Sequence, residues 1–133
     1  MQSFTYIAGK GRYRVFCRVY PLMEGYIAFL MGGTKYHVGA VALGLPRPSL
    51  KGDKTSATTS VLAVLGHKDD ELARPAAAHM AARLQMPAVV VAGVHIDKAA
   101  PAELALLAAN GRRAVAGVIK VLLRRLKNPK PVK

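Results

Sequence analysis

Tryptophan is absent from this chain of 133 residues, cysteine occurs once, and only 7 Asp and Glu stand against 20 Lys and Arg. A single cysteine, Cys17, forms no internal disulfide, which excludes a disulfide-stapled scaffold and suits a reducing, cytoplasmic setting. No apolar stretch approaches the ~18 residues of a membrane span. The start, MQSFTYIAGKGRYR, lacks the charged lead and apolar run of a secretory leader, so no membrane association is expected. Metal-ligand spacings such as HExxH and CxxC, the GxSxG elbow, the Walker loop and GxGxxG are all missing. With no zinc finger and no RNP-like aromatic motif, nucleic acid is the disfavoured partner.

What is present is charge and apolar bulk. The formal net charge is +13 and 52% of residues are hydrophobic. The hydrophobic share and the length fit one folded domain, expected over residues 1–127, with a disordered basic tail over 128–133. The excess of cations implies an anionic partner, or simply a basic solvated surface; charge alone does not choose.

Hydrophobic periodicity divides the chain. Residues 3–8, 12–20, 25–31, 36–43, 57–65 and 88–94 read as strands. Pro21 is expected to end the second run, and Gly32-Gly33 the third. The stretch 44–56, rich in Pro, Gly, Ser and Lys, reads as a long exposed loop. Helices are expected over about 69–84, with Pro75 awkward unless it stays in the first turns, and over 101–109, with Gly111 ending or kinking it before helical spacing resumes over 112–126. This predicts an α/β (α+β) single domain: a mixed β-sheet of four to six strands with two main helices, an antiparallel first half and a terminal βαβα unit. Should one sheet face be apolar and uncovered, a homo-oligomer is expected.

Because acids are scarce, their placement is informative. Asp69, Asp70, Glu71 and Asp97 all lie within four residues of His67 or His95. Both histidines follow apolar strands, where ligand sites gather in open α/β sheets if the strands are parallel neighbours. Such a cluster could hold a divalent metal, with His37, His67 and His95 as ligands, or place a proton at a cofactor. The alternative is that Asp69 and Asp97 cap helices and the histidines end strands. Gly32, Gly33, Lys35, His37 and Gly39 form a run whose backbone amides and cation could approach a phosphate; a plain hairpin turn is the competing reading. Arg12, Arg14 and Arg18 share a strand face that could grip phosphate or simply be solvated. His79 is assigned no role, and the basic stretch from Arg112 reads as a core-packing amphipathic helix.

Three segments, GGTKYHVGAVALGLPRPSLKG, TSVLAVLGHKDDELAR and VVVAGVHIDKA, resemble the LpdD-like prenylated-flavin chaperone family over about residues 8–105. The resemblance implies a chaperone or accessory protein, not itself the catalyst, that binds prenylated FMN (or FMN) and holds or matures it for a UbiD-type decarboxylase. By motif, it carries binding roles onto Gly32, Gly33, His37 and Gly39, onto His67, Lys68, Asp69 and Glu71, and onto His95 and Asp97; Lys35 and Arg14 are added as cations suited to the phosphate. The chain departs from the pattern at Asp69, where glutamate is expected, at Lys98, where asparagine is expected, and at Pro75. The reach of the acidic residues is therefore the point most in question.

Overall fold

The computed structural model describes residues 1–66 and 68–131; His67 and residues 132–133 of the expected tail lie outside the described residues. The strands are β1 (Phe4–Ala8), β2 (Val15–Leu22), β3 (Gly25–Gly33), β4 (Ala40–Pro48), β5 (Thr55–Ala63) and β6 (Ala88–His95); the helices are α1 (Asp70–Leu84) and α2 (Pro101–Lys127). The strands form one mixed sheet in the order β1-β2-β3-β6-β4-β5. β3 and β6 are parallel; the other neighbouring pairs are antiparallel.

Both helices cover the same face of the sheet. Alternation along the strands sends Val15, Cys17 and Val19 of β2, Ala28 and Leu30 of β3, and Val90 and Ala92 of β6 into that side. There they meet Ala77 and Met80 of α1 and Val118 and Ile119 of α2 in one continuous core. α1 packs over β4, β5 and β6, and α2 over β1, β2 and β3. Among the described residues no helix covers the opposite face. It carries Phe16, Ile27, Phe29, Val91, Val41, Leu43 and Leu62, half-buried or exposed. No helix among the described residues is long and apolar enough to cross a membrane.

Several boundaries differ from the sequence expectation, and the prolines give the reason. The Val64 amide donates to the Gly39 carbonyl, so odd positions of β4 bond to β5 and even positions face β6. β4 pairs with β6 only as far as Gly44. Pro46 and Pro48 therefore place their missing N–H groups on a vacant side, and the strand continues. The same holds in β2: pairing with β1 stops at Val19, and Pro21 faces that empty side while pairing with Tyr26 of β3. The long loop expected over 44–56 shrinks to 49–54. Arg12 belongs to a 3-10 turn, Gly11–Tyr13, rather than to β2. α2 runs unbroken through Gly111. Finally, β5 and β6 are parallel but not neighbours, because β4 is inserted between them.

Candidate functional site

Because β3 and β6 are parallel, their carboxyl ends finish together, Gly33 opposite His95. The chain leaving β3 stays on this edge. The Thr34 amide donates to the His95 carbonyl at 2.8 Å. Gly33 has φ +76°, and a Cβ there would collide with the same carbonyl, so glycine is required. The segment then crosses the open side of the sheet. The Tyr36 ring meets Phe16 edge-on at 5.4 Å between centroids, and the His37 carbonyl occupies the space a Cβ on Gly93 would fill. The Gly39 amide donates to the Ala92 carbonyl at 2.9 Å and the chain enters β4.

Asp69 approaches from the turn before α1. Its Oδ1 accepts the Val94 amide at 3.0 Å, and its Oδ2 lies 3.0 Å from Nε2 of His37. The carboxylate sits where a side chain on Gly39 would stand. Both groups are enclosed, the side chains 6% and 15% exposed. The helix-cap reading fails for this side chain, which makes no cap bond; the Asp69 carbonyl starts the helix by accepting the amides of Leu72 and Ala73. The shorter arm of aspartate thus reaches its partners. Nδ1 of His37 lies 3.4 Å from the Lys35 carbonyl.

His95 forms a second pair. Its Nε2 lies 2.7 Å from Oδ1 of Asp97, which is largely exposed. The His37 and His95 rings stand 6.1 Å apart and nearly perpendicular, at 87°. Two of the three sequence-assigned histidines therefore converge; His67 lies outside the described residues. Arg14, Lys35 and Lys68 are exposed around this edge. A carboxylate on one ring nitrogen fixes the tautomer and orientation of an imidazole, leaving the ring able to hold or pass a proton.

Other assigned residues serve elsewhere or differently. The Gly33 amide donates to the Arg14 carbonyl at 3.0 Å, and Gly32 packs against the Arg14 and Val15 backbone, so this pair closes the β2–β3 join rather than forming a hairpin turn. Glu71 faces a cavity of about 360 Å³ between the helices, lined also by Leu72, His79, Arg112 and Val115. Burial, then Arg83, holds the His79 imidazole below its usual pKa. The three arginines do not form a common grip: Arg12 pairs with Glu103, while Arg18 donates to Thr5 at 2.9 Å and lies over the Phe16 ring. Among the described residues no group of three or more His, Cys, Asp or Glu is arranged to hold a metal ion. Gly93 and the Val94 amide were missed from sequence; a glycine inside an apolar strand was the available signal.

Residues 9–123 match the family described as the prenylated flavin chaperone LpdD-like domain. The chain belongs to this family. The match extends past the residues that carry the sequence resemblance and takes in most of α2. No curated protein sequence matches the chain. Among solved structures it is similar to a chain of the crystal structure of a chaperone complex for yeast 20S proteasome assembly, with TM-score 0.56, 14% identity, and coverage of 95% of this chain and 99% of that one. At that identity the likeness concerns the fold. Within the LpdD-like family the His37–Asp69 and His95–Asp97 pairs lie inside the matched residues.

Proposed function

We propose that this protein binds prenylated FMN at the edge where β3 and β6 end, and holds or matures it for a UbiD-type decarboxylase in the cytoplasm. The observation that carries the reading is the convergence of His37 and His95, each on its own carboxylate, in a chain of the prenylated-flavin chaperone family. The donor set fits the cofactor. The cofactor offers an anionic phosphate and a flat, oxygen-sensitive ring system. Arg14, Lys35 and Lys68 supply positive charge near the edge for the phosphate. Phe16 and Tyr36, whose rings meet at this edge, supply an apolar floor for rings.

His37 and His95 are the positioning and proton-holding groups. Asp69 fixes Nε2 of His37, and Asp97 fixes Nε2 of His95, so their rings are presented to a ligand in set orientations. Glycine serves by letting these groups approach: Gly39 admits the Asp69 carboxylate and Gly93 admits the His37 backbone. The functional unit is a homo-oligomer.

The test is anaerobic incubation of the full chain with prenylated FMN, desalting, and an absorbance spectrum of the retained flavin. Wild type should retain it. His37→Ala and His95→Ala should each lose at least about tenfold in affinity, the loss typical of removing a supporting ligand contact, with circular dichroism unchanged. Retention by both variants at wild-type affinity would overturn the site. A second reading, a metal-dependent enzyme using the same residues, is tested by metal analysis of purified protein with and without chelator.

A further inference from the structure

The protein carries 20 Lys and Arg, yet one whole face of its sheet is nearly free of charge. Cross-strand register lines up Phe29, Val91, Val41 and Leu62 in one row across four strands, with Ile27 and Leu43 in the next. Phe29 is 36% exposed, Leu43 38% and Leu62 79%. Among the described residues, two cations within the strands share this face, near opposite sides, and each is tied down within the sheet: Arg18 to the Thr5 hydroxyl and Arg47 to the Thr58 hydroxyl; exposed Arg14 stands just before β2, at the site edge. Six strands at about 4.8 Å spacing and about eight residues of 3.3 Å rise give roughly 600 Å² of plan area. That approaches the about 800 Å² per partner of a standard interface, and contiguous apolar patches of a few hundred Å² mark interaction surfaces.

We propose that a second copy of this chain packs on the open face, sheet against sheet about a two-fold axis, and that the cofactor site is walled by both copies. Charge selects this occupant. Two chains of net charge +13 repel wherever their basic surfaces meet, and this face is the surface from which the cations are withdrawn. It offers no pattern of exposed cations to attract an acidic protein. An apolar, self-complementary sheet is what an isologous contact needs.

The second part rests on the proposed function. His95 and the crossing segment 34–38 lie on the open-face side of the carboxyl edge. Tyr36 is 60% and Val38 58% exposed. One copy therefore gives a flat ring a floor without a roof, whereas ligand sites cover most of a ligand's surface. Two sheets packed about 10 Å apart place the missing wall at that margin.

The mass of the full chain in solution, measured by light scattering on a sizing column at micromolar concentration, should be twice 14.2 kDa. Phe29→Glu and Leu43→Glu, in different rows and away from the histidines, should each weaken the dimer at least about tenfold, as for loss of a central apolar contact. Val91→Cys should cross-link two copies under mild oxidation, since the natural Cys17 is buried on the other side. Folding of each variant is checked by circular dichroism. The monomeric variants should retain less prenylated FMN, while His95→Ala stays dimeric. A monomeric wild type overturns the proposal and assigns the face to another protein. A dimer unaffected by both Glu variants, with no Val91→Cys cross-link, overturns the choice of face. A folded monomer that binds the cofactor like wild type overturns the shared wall. A wild-type dimer that retains no flavin overturns the proposed function and leaves the dimer standing.

Discussion

The Asp69 carboxylate joins two segments that the chain brings together from far apart: one oxygen lies 3.0 Å from Nε2 of His37 and the other accepts the Val94 amide at 3.0 Å. It occupies the position at the end of the β4–β6 pair where a further strand carbonyl would otherwise stand. The orientation of the His37 ring and a backbone hydrogen bond thus depend on one side chain.

Asp69→Asn and Asp69→Ala should separate those roles. Asparagine can still accept from Val94, but its amide donates toward His37 and so demands the other imidazole tautomer. On the proposed function, Asp69→Asn should keep most of the stability and lose about 10- to 100-fold in cofactor affinity, as does loss of a carboxylate that orients an imidazole. Asp69→Ala leaves the Val94 amide without its carboxylate acceptor and should cost about 1–3 kcal/mol in urea unfolding. Equal loss of stability in both variants would show that the carboxylate charge, not the hydrogen bond, holds this edge.

Gly111→Ala should stabilise the protein. Gly111 is a mid-helix residue of α2, and a Cβ there would lie 3.4 Å from Leu72 Cδ2, 3.9 Å from Leu72 Cδ1 and 4.0 Å from Val15 Cγ1, all ordinary contacts. A glycine inside a helix costs about 0.5–1 kcal/mol relative to alanine. The gain should appear as a higher midpoint of urea unfolding with an unchanged slope. A loss instead would mean that Leu72 has no room to yield.

Strand composition was legible wherever alternation was strong: β2, β3 and β6 were placed within a few residues, because Val15, Cys17 and Val19 or Val90 and Ala92 repeat every second position. The ends of β2 and β4 were not legible. Pro21, Pro46 and Pro48 read as breakers in a one-dimensional sequence, and become acceptable only once the lateral order of strands leaves their amide sides empty. The insertion of β4 between β5 and β6 was hidden for the same reason, since neighbour order is set by packing across the sheet and not by local pattern. Of the candidate residues, His95 and Asp69 stand out in the sequence through the scarcity of acids and their clustering near histidines that follow strands, and His37 as part of a glycine-rich run. The pairing of His37 with Asp69, 32 residues apart, was not legible, because it depends on the close approaches that Gly39 and Gly93 permit.

Lys98 offers a third test. It has φ +52°, the left-handed region that asparagine and glycine tolerate better than other residues. This is the position where the family resemblance expects asparagine. Lys98→Asn should therefore stabilise by a few tenths to about 1 kcal/mol, and Lys98→Gly by less, because glycine also adds freedom to the unfolded chain. Thermal unfolding should shift upward by a few degrees. The same substitution tightens the turn that carries Asp97, so retention of flavin should be at least that of wild type.

Cys17 provides a pH signature of the core. Its side chain lies on the helix-covered face of β2 and is fully buried, and burial pushes the thiol up to about 12 from an ordinary 9.0. The folded state therefore favours the neutral thiol. The stabilisation is complete below pH 9 and is lost as pH rises from there toward 12, because the unfolded chain ionises first. Burial raises the Tyr26 phenol in the same direction, so the alkaline loss has two contributors. Cys17→Val, close in volume and without an ionisable group, should flatten the alkaline limb of stability against pH without abolishing it. In the folded wild type the thiol should also resist a charged disulfide reagent at pH 8 and react fully once urea unfolds the chain. Rapid labelling under native conditions would mean that β2 opens locally far more readily than its position in the core allows.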